Sequence, residues 1–132
     1  MYIVVIDGQG GRLGAGLVTA IKEKYPQAEL TAIGTNAIAT AAMLKAGAER
    51  GATGENPIVV ACRTADVIVG PIGILAADAL LGEVTPVMAA AIGAARAKKV
   101  LIPMNRCGIR VMGTVERSMS EYIALAMEEI GR

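Results

Sequence analysis

Short apolar runs alternate along the chain with longer stretches whose apolar positions recur at helical spacing. Residues 2–6 form a continuous apolar run closed by Asp7-Gly8, the pattern of a strand buried on both faces. Between Gly11 and Lys24, the residues Leu13, Leu17, Val18 and Ile21 share one side of a helix. Lys22 and Lys24 fall in its last turn, where the helix dipole favours cations, and Pro26 lies beyond the stop. Residues 30–33 predict a second strand closed by Gly34, and residues 36–46 a second helix with Gly47 beyond its end. Residues 51–56 predict a polar loop. Asn56 as cap, with Pro57 at the first helical position, predicts a short helix through Arg63. Residues 67–69 predict a third strand ended by Gly70-Pro71, and residues 74–81 a short helix. Thr85-Pro86 repeats the cap-and-proline pattern and predicts a helix through Lys98. A fourth strand is expected at residues 100–103 and a shorter fifth at 109–112. Ser118 and Glu121 have capping-box spacing at the start of a closing helix that stops at Gly131.

Strands alternating with helices imply crossover connections and a mainly parallel sheet. The expected fold is therefore α/β: a three-layer αβα sandwich with a mainly parallel five-stranded sheet, Rossmann-like, in one domain over residues 1–132. Ligands of such sheets bind beyond the carboxyl ends of the strands. The segments that follow the first four strands carry glycine or small polar residues. They are Asp7-Gly8-Gln9-Gly10-Gly11-Arg12-Leu13-Gly14, Gly34-Thr35-Asn36, Gly70-Pro71-Ile72-Gly73 and Met104-Asn105-Arg106-Cys107-Gly108. In a parallel sheet all four share one edge.

The first segment is the strongest single signal. Glycines lack Cβ, so backbone N–H groups approach an anion closely, and the helix that follows aims its positive end at the same place. Gly8, Gly11 and Gly14 fit G-x-x-G-x-x-G, the spacing of extended short-chain dehydrogenases. NAD or NADP, or another nucleotide, is therefore a candidate cofactor. An NAD site expects an acid after the second strand and an NADP site an arginine; here Thr35-Asn36 stand in that place. They suit a ribose or phosphate contact and equally a helix cap. Asp7 suits a ribose hydroxyl, a metal or ordering of the loop, and Arg12 and Arg106 suit bidentate phosphate contacts.

Composition narrows the partners. Hydrophobic residues make up 54% of 132 residues and charged residues 19%, an apolar excess over the usual range. That excess predicts a homo-oligomer. The net charge is +1, aromatics are 2%, and Phe and Trp are absent. With neither a basic patch nor stacking aromatics, nucleic acid is not an expected partner. No run approaches the roughly 20 apolar residues of a membrane span, and no charged region precedes the first strand, so a cytoplasmic location is expected. Histidine is absent and there are two cysteines, Cys62 and Cys107. That set suits neither zinc nor an iron–sulfur cluster, so no metal is expected. The thiols lack a histidine base, and only Cys107 lies at the binding edge. Asp78 and Glu83 offer a carboxylate pair for acid–base work or, for Glu83, complement to a helix start.

Val5-Ile6-Asp7-Gly8-Gln9-Gly10-Gly11, Gly34-Thr35-Asn36-Ala37, Gly51-Ala52-Thr53-Gly54-Glu55-Asn56, Val69-Gly70-Pro71-Ile72-Gly73 and Ile102-Pro103-Met104-Asn105-Arg106-Cys107 together resemble a short bacterial family described as a domain of unknown function. That resemblance covers nearly the whole chain and implies no activity. In element order, Ala32-Ile33-Gly34-Thr35-Asn36, Asp66-Val67-Ile68-Val69 and Ile102-Pro103-Met104-Asn105-Arg106 are similar to the methylglyoxal-synthase-like fold. The resemblance implies that Gly34-Thr35-Asn36 helps bind phosphate. The enzyme's acid after the third strand is replaced here by Gly70-Pro71, and its histidine has no counterpart.

The expected function is binding of a phosphate-bearing ligand, a nucleotide, dinucleotide or phosphorylated metabolite, at the carboxyl edge. Its site comprises Asp7, Gly8, Gln9, Gly10, Gly11, Arg12, Gly14, Gly34, Thr35, Asn36, Gly70, Pro71, Gly73, Asn105 and Arg106. Two alternatives stand beside it. One is an NAD(P)-dependent or phospho-sugar enzyme; the other is a homo-oligomeric partner-binding module without a ligand.

Overall fold

The computed structural model describes residues 1–104 and 108–132. Five strands, β1 (Tyr2–Asp7), β2 (Glu29–Gly34), β3 (Arg50–Thr53), β4 (Val67–Pro71) and β5 (Lys98–Ile102), form one sheet in the order β3-β2-β1-β4-β5. Every neighbouring pair is parallel. The helices are α1 (Arg12–Lys24), α2 (Ala37–Lys45), α3 (Glu55–Cys62), α4 (Pro86–Ala94) and α5 (Met119–Ile130). The fold is the expected α/β three-layer sandwich of Rossmann-like type.

β1 lies at the centre because all of its middle residues can be buried. Ile3 and Val5 face one core with α1, α2 and α5; Val4 and Ile6 face a second core with α3 and α4. All four are fully buried, and each such side chain contributes roughly 1.5–3 kcal/mol. Since β2 continues the sheet on one side of β1 and β4 on the other, the chain reverses its winding between β1 and β4. Crevices open at such points.

Several local expectations hold. Asn36 caps α2 through the Ala39 N–H, Thr85 caps α4 through Met88 with Pro86 in its first turn, and Ser118 with Glu121 closes a capping box on α5. Others are corrected. Residues 109–112 form no strand; the fifth place in the sheet belongs to β3, in the segment read as a polar loop. β3 is an edge strand held by backbone pairing to β2, from Thr31 with Arg50 to Gly34 with Thr53, and pairing leaves no apolar signature. α3 starts at Glu55 after Gly54, which adopts a φ of 101°, so Asn56 is inside the helix and not its cap. The helix expected over 74–81 is one 3-10 turn, Ile72–Leu75, followed by turns. α4 stops at Ala94, not Lys98, because Val67 on β4 pairs with Lys98 and draws it into β5. Nothing in Ala95-Arg96-Ala97 breaks a helix; the sheet overrides local preference.

Candidate functional site

Asp7 is the last residue of β1, and its carboxylate lies under the turn that follows. Oδ1 accepts from the Gly8 N–H at 2.8 Å and Oδ2 from the Gly14 N–H at 2.7 Å. One buried side chain thus ties the strand to the first turn of α1. Burial pushes the Asp7 pKa up, the two N–H bonds oppose that, and the charge of Glu83 adds to the rise.

Glu83, in the connection between the 3-10 turn and α4, reaches across to the ends of β1 and β2. Its Oε1 accepts from the Gln9 N–H at 2.8 Å, the Thr35 hydroxyl at 2.7 Å and the Asn36 side-chain amide at 2.8 Å. Burial alone would raise the Glu83 pKa; the three hydrogen bonds outweigh it and hold the carboxyl below its ordinary value. Asn36 also donates to the Gln9 carbonyl at 3.0 Å. Thr40 fixes the frame beneath, with its hydroxyl joining the Gly34 N–H and the Thr53 hydroxyl. Among the described residues no hydrogen bond joins the Glu83 and Asp78 side chains; the Glu83 carboxylate is taken up by Gln9, Thr35 and Asn36.

A cleft of about 240 Å³ opens beyond the carboxyl ends of β1 and β4. One wall is the backbone of residues 8–12. The other is apolar, from Leu13, Pro71, Leu80, Met104 and Met119. Among the described residues, the N–H groups of Gly10, Arg12 and Leu13 have no acceptor. These are the orphan donors of the turn and of the start of α1, where the helix carries partial positive charge. The Arg12 side chain is exposed and has no ion pair among the described residues.

The expected site residues therefore separate into groups. Asp7, Gly8, Gln9, Gly10, Gly11, Arg12, Pro71 and Gly73 all line the cleft. Thr35 and Asn36 sit beside it with their side chains bonded to Glu83. Gly14 is held by Asp7 against Met43. Gly34 is packed on Thr40, and at Gly70 a β-carbon would overlap the Ile6 carbonyl oxygen, so both serve close packing. Asn105, Arg106 and Cys107 lie outside the described residues. Cys62 is buried among α3 and α4, away from the cleft, and burial pushes its thiol up. Among the described residues no three metal-ligating side chains converge, and no helix is long and apolar enough to cross a membrane.

Sequence reasoning placed Glu83 near a helix start and did not place Leu80 or Met119 at the cleft. The only signal was Leu80-Leu81-Gly82-Glu83, which lacks continued helical spacing.

Neither a curated protein nor a solved structure matches the chain. One family, described as Domain of unknown function (DUF3842), matches residues 2–132. The match takes in every strand, every helix and the whole cleft, and the chain belongs to that family.

Proposed function

We propose that the protein binds a small phosphate-bearing ligand, a nucleotide or phosphorylated metabolite, in the cleft between β1 and β4. The observation that supports this reading is the set of donors open among the described residues, Gly10, Arg12 and Leu13 N–H, at a cleft that Arg12 also lines. A phosphate seated there gains charge-assisted hydrogen bonds and the favourable field of α1. The apolar wall of Leu13, Pro71, Met104 and Met119 suits the face of a base or a carbon skeleton. The phosphate cradle is narrower than the sequence implied. Gly8 and Gly14 N–H serve Asp7, and Gln9 N–H with Thr35 and Asn36 serves Glu83.

Native mass spectrometry of freshly purified protein tests the reading, followed by the same spectrum under denaturing conditions. A small bound mass lost on denaturation is expected. If the protein is empty, a thermal-shift panel of nucleotides and sugar phosphates follows. No shift with any member, at millimolar concentration and constant ionic strength, sinks the proposal.

A further inference from the structure

The connection from residue 76 to residue 84 contributes Leu80 to the apolar wall of the cleft, and its construction is unusual. Asp78, Leu80 and Leu81 all have positive φ (66°, 57° and 58°), as does Gly82 (87°). For residues other than glycine this left-handed backbone is unfavourable. Its backbone hydrogen bonds close on the segment itself: Asp78 N–H to Val84 O, Ala79 N–H to Ala76 O, Gly82 N–H to Asp78 O, Glu83 N–H to Leu80 O and Val84 N–H to Ala79 O. It is a self-contained strap. At its tip Leu81 is 96% exposed and packs on nothing.

Two side chains fasten the strap to the first loop. Leu80 lies so close to Gly8 that a β-carbon there would sit 2.7 Å from its Cδ1. Glu83 places one carboxylate oxygen on three donors from three residues, Gln9, Thr35 and Asn36. Three convergent donors on a single oxygen are what an anionic ligand atom would receive. With the strap so fastened, the cleft holds about 240 Å³, below the roughly 300–1,000 Å³ of pockets that enclose a whole small-molecule ligand.

We propose that residues 76–84 are a latch and that Glu83 is its built-in stand-in for a ligand anion. An anionic group of the ligand takes the Gln9, Thr35 and Asn36 donors, Glu83 is displaced, and the strap swings away with Leu80 to widen the cleft. The hydrogen bonds of Glu83 offset the left-handed backbone in the closed state, so their loss to a ligand favours opening. This rests on the phosphate reading of the cleft for its ligand class. Its own content is the competition between Glu83 and that ligand.

The experiment is a titration of the full chain with inorganic phosphate at constant ionic strength, followed by the backbone amide resonances. In the wild-type protein the Gly10, Arg12 and Leu13 amides shift first, and the Gln9 amide follows only at higher phosphate, as Glu83 is displaced. In Glu83→Ala the Gln9 amide shifts together with them at lower phosphate and the apparent affinity rises. A latch that is closed for about nine-tenths of the time lowers apparent affinity about tenfold, and that is the gain expected. Leu81→Gly provides the opposite arm. It removes a side chain that touches nothing and eases a left-handed position, so the strap stays shut and affinity for phosphate weakens. A silent Gln9 amide in Glu83→Ala, with unchanged affinity, overturns the latch even if Gly10, Arg12 and Leu13 respond. If Glu83→Ala does not fold, unchanged or tighter phosphate binding by Leu81→Gly overturns it alone. Silence of Gly10, Arg12 and Leu13 in every variant overturns the phosphate reading instead, and the Gln9 response in Glu83→Ala then judges the cradle.

Discussion

Glu83 and Asn36 are 47 residues apart and joined by a 2.8 Å hydrogen bond from the Asn36 amide to Glu83 Oε1. The other end of the same amide, Oδ1, caps α2 through the Ala39 N–H at 2.8 Å. One side chain therefore couples the start of a helix to the wall of the cleft. Asn36→Asp keeps the cap but sets a carboxylate against Glu83. We expect a helix start retained in circular dichroism and a stability loss of about 1–3 kcal/mol in urea unfolding. A variant as stable as the wild type would show that the Glu83 contact contributes nothing.

Asp7 and Glu83 give opposite pH dependences. Glu83 lies below its ordinary 4.5 in the folded chain, so its contribution to stability is present above that pH and disappears as pH falls through the folded value. Asp7 lies above its ordinary 3.8; its contribution is full below that pH and disappears as pH rises through the folded value. Urea unfolding from about pH 3 to 7 separates them. The stability gap between wild type and Glu83→Gln should close towards acid, and the gap for Asp7→Asn should narrow towards neutrality. Parallel profiles for either variant refute its assignment.

Asp7→Asn carries a second expectation while the Asp7 carboxyl is ionised. Asparagine supplies one acceptor where Asp7 supplies two, so the Gly8 or the Gly14 N–H loses its partner in a buried place. The loss is about 1–3 kcal/mol, read as a lowered denaturation midpoint with an unchanged slope.

Glycine substitutions distinguish cleft from frame. A β-carbon on Gly10 meets nothing within 4 Å, so Gly10→Val should fold with stability within roughly 0.5 kcal/mol of wild type. Its branched side chain should fill the approach to the open donors and weaken phosphate binding at least about tenfold, or 1.4 kcal/mol. Gly70→Ala should do the reverse and fail at folding, since its methyl group meets the Ile6 carbonyl. Thermal melts and phosphate titrations of both proteins check the pair. Normal binding by Gly10→Val would move the ligand elsewhere.

Arg12→Ala removes an exposed cation that lines the cleft and has no ion pair among the described residues. Stability should stay within roughly 0.5 kcal/mol. Phosphate affinity should fall by about 1.5–3 kcal/mol, the range for a hydrogen bond to a charged group. Equal affinity would make Arg12 a solvated bystander.

The sheet was legible because residues 2–6 and 67–69 are buried on both faces and so carry continuous apolar runs. The caps at Asn36, Thr85 and Ser118 were legible because capping is local chemistry within three residues. β3 was not, since an edge strand such as Arg50-Gly51-Ala52-Thr53 is held by main-chain pairing that its side chains do not record. At the site, glycine spacing located the loop and the cleft. It could not reveal that Glu83 claims three of the expected phosphate donors, because that contact spans 74 residues to Gln9 and depends on a strap whose left-handed turns have no periodic signature. The pairing of Asp7 with Gly14 was also hidden, although strand end and helix start were both expected where they occur.

At Gly70 the backbones of β1 and β4 lie in such close contact that not even a methyl group separates them. The bottom of the cleft therefore rests on two central strands, paired from Ile3 with Val67 to Val5 with Val69 and in close contact beyond, with little room to part and accommodate a guest. All adjustment to ligand size falls to the side walls. Among relatives of this fold, tolerance for a different ligand should then be altered by changes in the 76–84 connection long before it is altered by changes in the sheet.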